Sequence, residues 1–378
     1  MEIMYISRRF KENICATIHY QVINEIFGED NVYTVDLRMN SFKKTKNYIS
    51  YGQCSKLEKI KRFMELNDIL LSDKIINDIC GIINKQDITQ VFIDESGFGK
   101  LVREIKTKCS SVKVVSFYHD IDRVTYKQRL KINGIKFLPT YITTIYGEYL
   151  TQKYSDYNVV LNHRDALELF RCYGKKTEVY LPMSVDEPEL ELTQTREYIF
   201  NKGDNIRYIL FVGAYYYPNL NGLKWFIENV FISLNNNYKL LVVGRGMEKI
   251  REQYLYDNRI EIIGSVDSLA PYYNNSDIVI APLFEGGGMK QKTAEAFAYG
   301  KCFIGTTESL IGYEEAIDIE QDNQKSVFCC DLPEEQLAAF RELELYDNYH
   351  FQTQLYNLYK NKYSKDVTKK ILTDLLKK

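Results

Sequence analysis

Three consecutive glycines form the part of this sequence best suited to bind an anion. Gly286, Gly287 and Gly288 follow a short apolar run at residues 278–283, and helical periodicity begins close to Lys290. Because glycine has no side chain, backbone N–H groups in such a loop can approach a ligand closely. The amino end of the helix that follows adds a partial positive charge. The pattern predicts a phosphate-binding loop between a strand and a helix.

Three charged residues stand in the first turns of that helix: Lys290, Lys292 and Glu295. The lysines are two residues apart and do not share a helix face, but both can reach a diphosphate if the helix begins between them. A carboxylate such as Glu295 can accept hydrogen bonds from both hydroxyls of a ribose. All three could instead be solvated surface residues. We expect the lysines to stabilise phosphate charge and Glu295 to anchor the nucleoside.

A histidine ends one of the predicted strands in the first half of the chain. His119 follows the apolar run 112–118, and the chain has 4 histidines in total. At a strand end, His119 could donate a hydrogen bond to a bound ligand or transfer a proton. A partly buried histidine satisfied by the backbone is the alternative. Asp120 and Asp122 form a D-x-D triplet, but this triplet is common by chance, and no metal is expected.

Composition limits the functional classes. The chain has 378 residues, 45% of them hydrophobic, and a net charge of -2, which favours two soluble domains and gives no global attraction to nucleic acid. The 8 cysteines show no metal-ligand spacing and are expected to be reduced thiols. The first residues read as a strand rather than a signal peptide, so a cytoplasmic protein is expected. Arg8, Arg9 and Lys11 are expected in an exposed basic loop, where they could also meet an acidic acceptor or a membrane surface.

Strand and helix signals alternate along the chain, which predicts the α/β class with doubly wound parallel sheets. In the first half, strands are predicted at 2–6, 32–37, 89–94, 112–118, 157–161 and 178–181, and helices at 14–27, 57–83, 101–108, 125–137, 139–153 and 164–173. Residues 38–55 are expected to form a long loop. In the second half, strands are predicted at 208–212, 240–243, 260–263 and 327–330, with helices at 220–234, 247–256, 269–274 and 334–343.

A polar, turn-rich stretch at residues 191–205 predicts a linker. The domains are therefore expected at residues 1–190 and 206–348. Residues 349–378 are amphipathic and are expected to form terminal helices that pack back on the first domain.

The segment PLFEGGGMKQKTAEAFAYGKCFIGT (282–306) resembles the donor-site signature of retaining GT-B glycosyltransferases of the family-four-like group. FVGAYYYPNLNGLKWF (211–226), LLVVGRG (240–246), IEIIGSV (260–266) and LAPYYNNSDIVIAPL (269–283) follow the order of that family. The resemblance implies two facing Rossmann-like domains, of which the carboxyl-terminal one binds a nucleotide sugar. It also implies that His119 lines the cleft near the reacting sugar.

The resemblance has two departures. The family's first donor-site glutamate falls on Gly287 here, and Glu285 is out of register for that role, although it might reach the sugar from the preceding loop. The basic residues expected after the first strand of this domain are replaced by Ala214 and three tyrosines. The catalytic residues we expect are therefore His119, Lys290 and Lys292. The expected nucleotide-binding residues are Gly213, Arg245, Gly287, Gly288, Met289, Glu295 and Thr307.

The predicted function is transfer of a sugar from a UDP- or GDP-linked donor to an acceptor hydroxyl, with no cofactor beyond the donor itself. Glycans, lipid-linked sugars and proteins are all open as acceptors, in bacterial surface-glycan or glycoprotein assembly at the cytoplasmic face of the membrane. Two other classes remain open at this point. A GT-B nucleotide-sugar epimerase would use the same nucleotide site, and a degenerate transferase could act as a non-catalytic partner subunit.

Overall fold

The structure is a computed structural model of the chain. It describes residues 2–377 apart from residues 9, 11, 12, 39, 40, 53, 54, 178, 191–205 and 347–350. The chain forms two compact units. The amino-terminal unit is Met1–Pro182 with Lys365–Lys378, and the carboxyl-terminal unit is Met183–Ser364. The units thus divide at Pro182 and Ser364, whereas the sequence placed the domain limits at residues 190 and 348. The predicted linker at 191–205 lies outside the described residues.

The amino-terminal unit is built on a sheet with the strand order β3-β4-β2-β1-β5-β6-β7-β8, which is parallel except for the antiparallel pair β3–β4. Its strands are β1 (Ile3–Ser7), β2 (Val32–Asp36), β3 (Lys43–Lys44), β4 (Tyr48–Ser50), β5 (Gln90–Ile93), β6 (Lys113–Tyr118), β7 (Tyr157–Val160) and β8 (Val179–Tyr180). Its helices are α1 (Ile14–Phe27), α2 (Lys56–Met64), α3 (Asp73–Lys85), α4 (Gly99–Lys108), α5 (Asp122–Asn133), α6 (Leu138–Tyr154), α7 (His163–Tyr173) and the chain-terminal α13 (Lys365–Leu376).

The carboxyl-terminal unit contains a parallel sheet with the order β11-β10-β9-β12-β13-β16 and a small antiparallel pair, β14–β15. Its strands are β9 (Arg207–Val212), β10 (Tyr238–Val243), β11 (Ile260–Gly264), β12 (Ile278–Ala281), β13 (Cys302–Gly305), β14 (Glu320–Gln321), β15 (Gln324–Lys325) and β16 (Val327–Cys329). Its helices are α8 (Tyr217–Asn229), α9 (Ala270–Asn275), α10 (Gln291–Ala298), α11 (Pro333–Glu344) and α12 (Thr353–Lys362).

Both central sheets are buried by helices, which explains their continuous apolar strands. Every residue of β1 and of β12 is buried. In the carboxyl-terminal unit, the core joins the strands to apolar positions of α8 and α11, such as Leu223, Phe226 and Phe340. In the described part of the chain, no helix combines the length and the apolar character that crossing a bilayer requires.

Three predicted elements were wrong in detail. The expected loop at 38–55 contains β3 and β4. The expected helix at 57–83 is two helices, because Leu66 adopts φ 53°, a left-handed conformation that a continuous helix cannot contain. The helix predicted at 247–256 is shorter, a 3-10 helix at Met247–Tyr254. The two predicted terminal helices belong to different units. Helix α12 is part of the carboxyl-terminal unit. Helix α13 packs on α1, where Lys365 and Lys369 form ion pairs with Glu25.

Close packing between α8 and the end of β12 gives a first prediction. A Cβ atom on Gly222 would lie 2.0 Å from the carbonyl oxygen of Pro282. Gly222→Ala is therefore expected to lower the free energy of unfolding by about 1–3 kcal/mol, because the backbone must move to relieve the overlap. Gly81→Ala in α3 is the matched control, since a Cβ atom there meets nothing within 4 Å. The free energy of unfolding of Gly81→Ala should be about 0.4–1 kcal/mol higher than that of the wild type.

Urea unfolding of both variants measures the two changes. Equal stability of Gly222→Ala and the wild type would contradict the packing described here.

Candidate functional site

The glycine loop connects β12 to α10 at the carboxyl edge of the second sheet. Gly286 has φ 138° and Gly288 has φ 59°, conformations that residues with a Cβ atom rarely adopt. The glycines are thus required by the backbone path as well as by any ligand. At this edge of a doubly wound sheet, ligands meet the carboxyl ends of the strands and the amino ends of the helices.

Lys290 caps the amino end of α10 and folds back over the loop. Its Nζ donates to the Gly287 and Gly288 carbonyl oxygens at 3.2 and 3.0 Å. It also pairs with Glu308 Oε1 at 2.8 Å. The ammonium group therefore lies inside the loop, close to the carbonyls it stabilises. An incoming anion would compete with Glu308 for this charge.

Lys292 lies two residues further along the chain, in the first turn of α10, and is buried. Its Nζ donates to Asn219 Oδ1 at 2.8 Å and lies 4.4 Å from the centre of the Phe211 ring. Burial lowers the pKa of Lys292 to about 7, with Lys290 acting in the same direction and Glu295 opposing. A buried cation with one neutral hydrogen-bond partner is expensive to keep charged. A nearby anion would favour the protonated form of Lys292.

Glu295 lies on the same helix and is held from two sides. Its Oε2 accepts a hydrogen bond from Tyr273 Oη at 2.8 Å, and its Oε1 accepts one from Gln291 Nε2 at 2.6 Å. Burial raises the pKa of Glu295, while these two hydrogen bonds and Lys292 oppose that shift. The ring of Tyr273 is itself fixed by stacking on Tyr299, with centroids 4.8 Å apart. The carboxylate is therefore rigidly oriented.

The ends of β9 and β10 meet next to this helix. A Cβ atom on Gly244 would lie 2.0 Å from the Gly213 carbonyl oxygen, so the two turns are in direct contact. Asn219 bridges this region, because its Nδ2 donates to the Ala214 carbonyl at 2.9 Å while its Oδ1 accepts from Lys292. Arg245 is exposed, and its side chain bonds to no other residue in the described part of the chain.

The remaining predicted residues are engaged in packing or in local hydrogen bonds. Met289 is buried, and a Cβ atom on Gly312 would come within 2.7 Å of its side chain. Thr307 donates through Oγ1 to Asp331 Oδ2 at 2.7 Å, and its backbone N–H donates to Oδ1 at 2.8 Å. Glu285 accepts from Asn221 Nδ2 at 3.0 Å.

Sequence reasoning missed the partners that hold the three charged residues. Asn219, in the first turn of α8, accepts the hydrogen bond that holds Lys292. Glu308 and Tyr273 were not assigned to the charged residues that they contact. Only Gln291 carried a usable signal, because it precedes Glu295 by four residues and so shares its helix face.

In the amino-terminal unit, His119 lies at the end of β6 and is buried. Its Nε2 is 3.0 Å from Asp94 Oδ1, at the end of the neighbouring strand β5. Asp94 also accepts from Tyr5 Oη at 2.6 Å and lies 3.3 Å from His19 Nδ1. Although burial alone would raise it, the pKa of Asp94 is held well below its usual range by the two imidazoles. The catalytic role of His119 stays a prediction, and its Nε2 lies against the Asp94 carboxylate.

Arg8 and Asp122, two charged residues of the same unit, contact other side chains of that unit. Arg8 bonds to Glu95 at 2.6 Å and to Asp68 at 3.3 Å, so it does not belong to an exposed basic loop. Arg9 and Lys11 lie outside the described residues. Asp122 is buried against Ser96, and burial raises its pKa to about 6. Within the described ranges, no group of three or more His, Cys, Asp or Glu side chains is placed to hold a metal ion.

A family model matches part of this chain. Residues 206–343 match the family model described as glycosyl transferases group 1. That stretch contains the glycine loop, both lysines, Glu295 and the partners described above. No curated protein matches the sequence of this chain.

Several solved structures share the fold at low sequence identity. A sucrose-phosphate synthase from Thermosynechococcus elongatus has a TM-score of 0.74 at 13% identity, covering 100% of this chain and 98% of that chain. HepE from Anabaena in complex with UDP and glucose has a TM-score of 0.69 at 9% identity, covering 100% and 99%. A glycosyltransferase from Rickettsia africae has a TM-score of 0.71 at 14% identity, covering 99% and 97%. The predicted α/β class and GT-B fold are confirmed.

Proposed function

We propose that this glycosyltransferase moves a sugar from a nucleotide diphosphate donor to an acceptor hydroxyl, and that the donor binds at the glycine loop of the carboxyl-terminal unit. The main observation behind this proposal is that the amino groups of two lysines lie at the amino end of α10, with the oriented carboxylate of Glu295 on the same helix. The lysines match a diphosphate in charge, and the carboxylate matches the hydroxyls of a ribose.

The reaction places negative charge on the departing diphosphate while the sugar carbon becomes cationic. The loop N–H groups, the amino end of α10, Lys290 and Lys292 would stabilise this charge where it develops. This arrangement supports a mechanism in which side-chain cations take the place of a metal ion. Because Lys290 is bound to Glu308 in the free protein, donor binding would exchange that ion pair for one with phosphate.

Glu295 would anchor the nucleoside. An ionised carboxylate has about four acceptor positions. The hydrogen bonds from Tyr273 and Gln291 use two of them. The remaining positions can accept the two ribose hydroxyls. Both UDP-linked and GDP-linked sugars satisfy this chemistry. Because HepE was solved in complex with UDP, a UDP-linked sugar is the first donor to test.

The finer parts of the proposal are retention of the anomeric configuration, participation of His119 near the reacting sugar, and a surface-glycan or glycoprotein acceptor. Retention rests on the sequence resemblance, and the anomeric proton signals of the product in NMR would test it. For His119, the supporting observation is its position at the end of β6, next to the Asp94 carboxylate.

The enzymatic proposal is tested by incubating the purified protein with UDP- and GDP-sugars and bacterial glycan or lipid-linked acceptors. The expected result is acceptor-dependent release of the nucleoside diphosphate together with an acceptor whose mass has increased by one sugar. Conversion of the donor sugar into its epimer, with no gain in acceptor mass, would contradict the proposal.

Lys292 provides a pH prediction. Its pKa of about 7 in the free protein means that it is largely neutral at pH 8. A bound diphosphate favours the protonated form and raises that pKa, so binding at pH 8 should take up close to one proton. Donor affinity should therefore fall as pH rises above 7, by at most about tenfold per unit.

Isothermal titration calorimetry in buffers of different ionisation enthalpy measures the proton uptake. In the Lys292→Met variant, donor binding should no longer show this proton uptake. Equal uptake by the variant and the wild type would contradict the assignment.

A further inference from the structure

The turn between α5 and α6 exposes apolar side chains that belong to no core cluster. We call residues 123–149 the hairpin surface. At its tip, Ile132 and Ile135 are 61% and 82% exposed. Leu138, Ile142 and Tyr149 on α6 are also exposed. Apolar side chains grouped in this way on a soluble protein mark a site that contacts another apolar phase or partner.

Four apolar residues of α6 lie on one face of the helix. Leu138, Ile142, Ile145 and Tyr149 are spaced by four, three and four residues, so they form a continuous stripe along the helix. The stripe borders an open groove of about 590 Å³, and most of the lining side chains are apolar or aromatic. The groove is lined by Arg123, Ile142, Ile145, Tyr146, Tyr149, Cys172 and Tyr173.

The same surface is strongly basic. Residues 123–149 contain five basic residues and one acidic residue, Glu148, which is buried, although the whole chain has a net charge of -2. Four of the five are exposed and the fifth, Arg129, is partly exposed. The basic residues are Arg123, Lys127, Arg129, Lys131 and Lys136. Cations beside exposed apolar residues are typical of helices that lie in a membrane interface.

We propose that the hairpin surface docks on an anionic lipid bilayer, with Ile132 and Ile135 inserted among the headgroups and the basic residues on the lipid phosphates. A second copy of this chain is disfavoured, because a two-fold contact would bring the same five cations together without a counter-charge. A nucleic acid would match the charge but would leave the isoleucines in water. The surface lies in the amino-terminal unit and does not depend on the proposed donor site.

Co-sedimentation of the full chain with vesicles tests the proposal. The expected result is binding to phosphatidylglycerol vesicles, little binding to phosphatidylcholine vesicles, and weakening with added salt. A variant with Ile132→Asp and Ile135→Asp should bind at least about tenfold more weakly. A variant with Lys131→Glu and Lys136→Glu should also bind about tenfold or more weakly.

Matched controls use exposed residues of the other unit. Leu255→Asp replaces a leucine that is 73% exposed, and Lys224→Glu replaces a lysine whose side chain is 65% exposed. Both should bind anionic vesicles as the wild type does. Equal binding of the hairpin variants and the wild type would overturn the proposal. A second result would also overturn it: the wild type is a dimer in light scattering, and the Ile132→Asp, Ile135→Asp variant is a monomer. The hairpin surface would then bind a second copy of this chain.

Discussion

Replacing Lys290 with alanine is expected to lower kcat by about 10²–10³-fold, the usual effect of removing one group that stabilises transition-state charge. In the free protein, Lys290 lies at the amino end of α10 and contacts two loop carbonyls and Glu308. In the proposed donor complex, this charge would lie beside the departing diphosphate. Steady-state kinetics at saturating donor, together with the thermal midpoint, measures the effect on turnover separately from any effect on folding.

The matched control for Lys290 is Lys224→Ala, an exposed lysine of the same unit, which should leave kcat unchanged. Glu308→Gln distinguishes an anion-binding role from a structural one. If Lys290 binds the phosphates, releasing it from Glu308 should preserve or improve donor affinity. If Lys290 only ties the loop to Glu308, both variants should lose similar activity, and that outcome would contradict the proposed role.

Replacing Glu295 with glutamine is expected to weaken donor binding by about 10–100-fold. The estimate follows from hydrogen bonds to a charged group, which contribute about 1.5–3 kcal/mol. Glutamine keeps the shape of the side chain, so the partners Tyr273 and Gln291 remain in place while the negative charge is lost. Calorimetric titration with UDP and GDP measures the change in Kd.

Deoxynucleotides make the Glu295 test specific. The wild type should bind UDP more tightly than 2′-deoxy-UDP, and Glu295→Gln should lose most of this preference, because the carboxylate is the proposed partner of the ribose hydroxyls. Glu261→Gln, a change at an exposed position of β11, should retain the preference. If Glu295→Gln still discriminates against 2′-deoxy-UDP as the wild type does, the carboxylate does not contact the ribose.

The sequence predicted the strand, the glycine loop and the helix of the donor site, because each depends on local residue types. Positive φ angles at Gly286 and Gly288 require glycine whatever the tertiary context. The partners of the lysines could not be predicted in this way. Asn219 is 73 residues from Lys292, and Glu308 is 18 residues from Lys290. Such contacts depend on which strand ends become neighbours in the folded sheet.

The partner of His119 was more accessible to sequence reasoning. Predicted strands ended near Asp94 and at Tyr118, and adjacent parallel strands bring such ends together. The ion pairs of Arg8 were harder to foresee, because Asp68 lies in the break between α2 and α3, where a single helix was predicted. That break depends on the left-handed conformation of Leu66, which a leucine rarely adopts.

The central claim is that a nucleoside diphosphate binds to Lys290, Lys292 and Glu295. Calorimetric titration of the wild type, Lys290→Ala and Glu295→Gln with UDP and with GDP tests it most directly. The predicted result is saturable binding of at least one of the two nucleotides to the wild type, weakened about tenfold or more in both variants. Failure of both nucleotides to bind, or equal affinity in all three proteins, would contradict the claim.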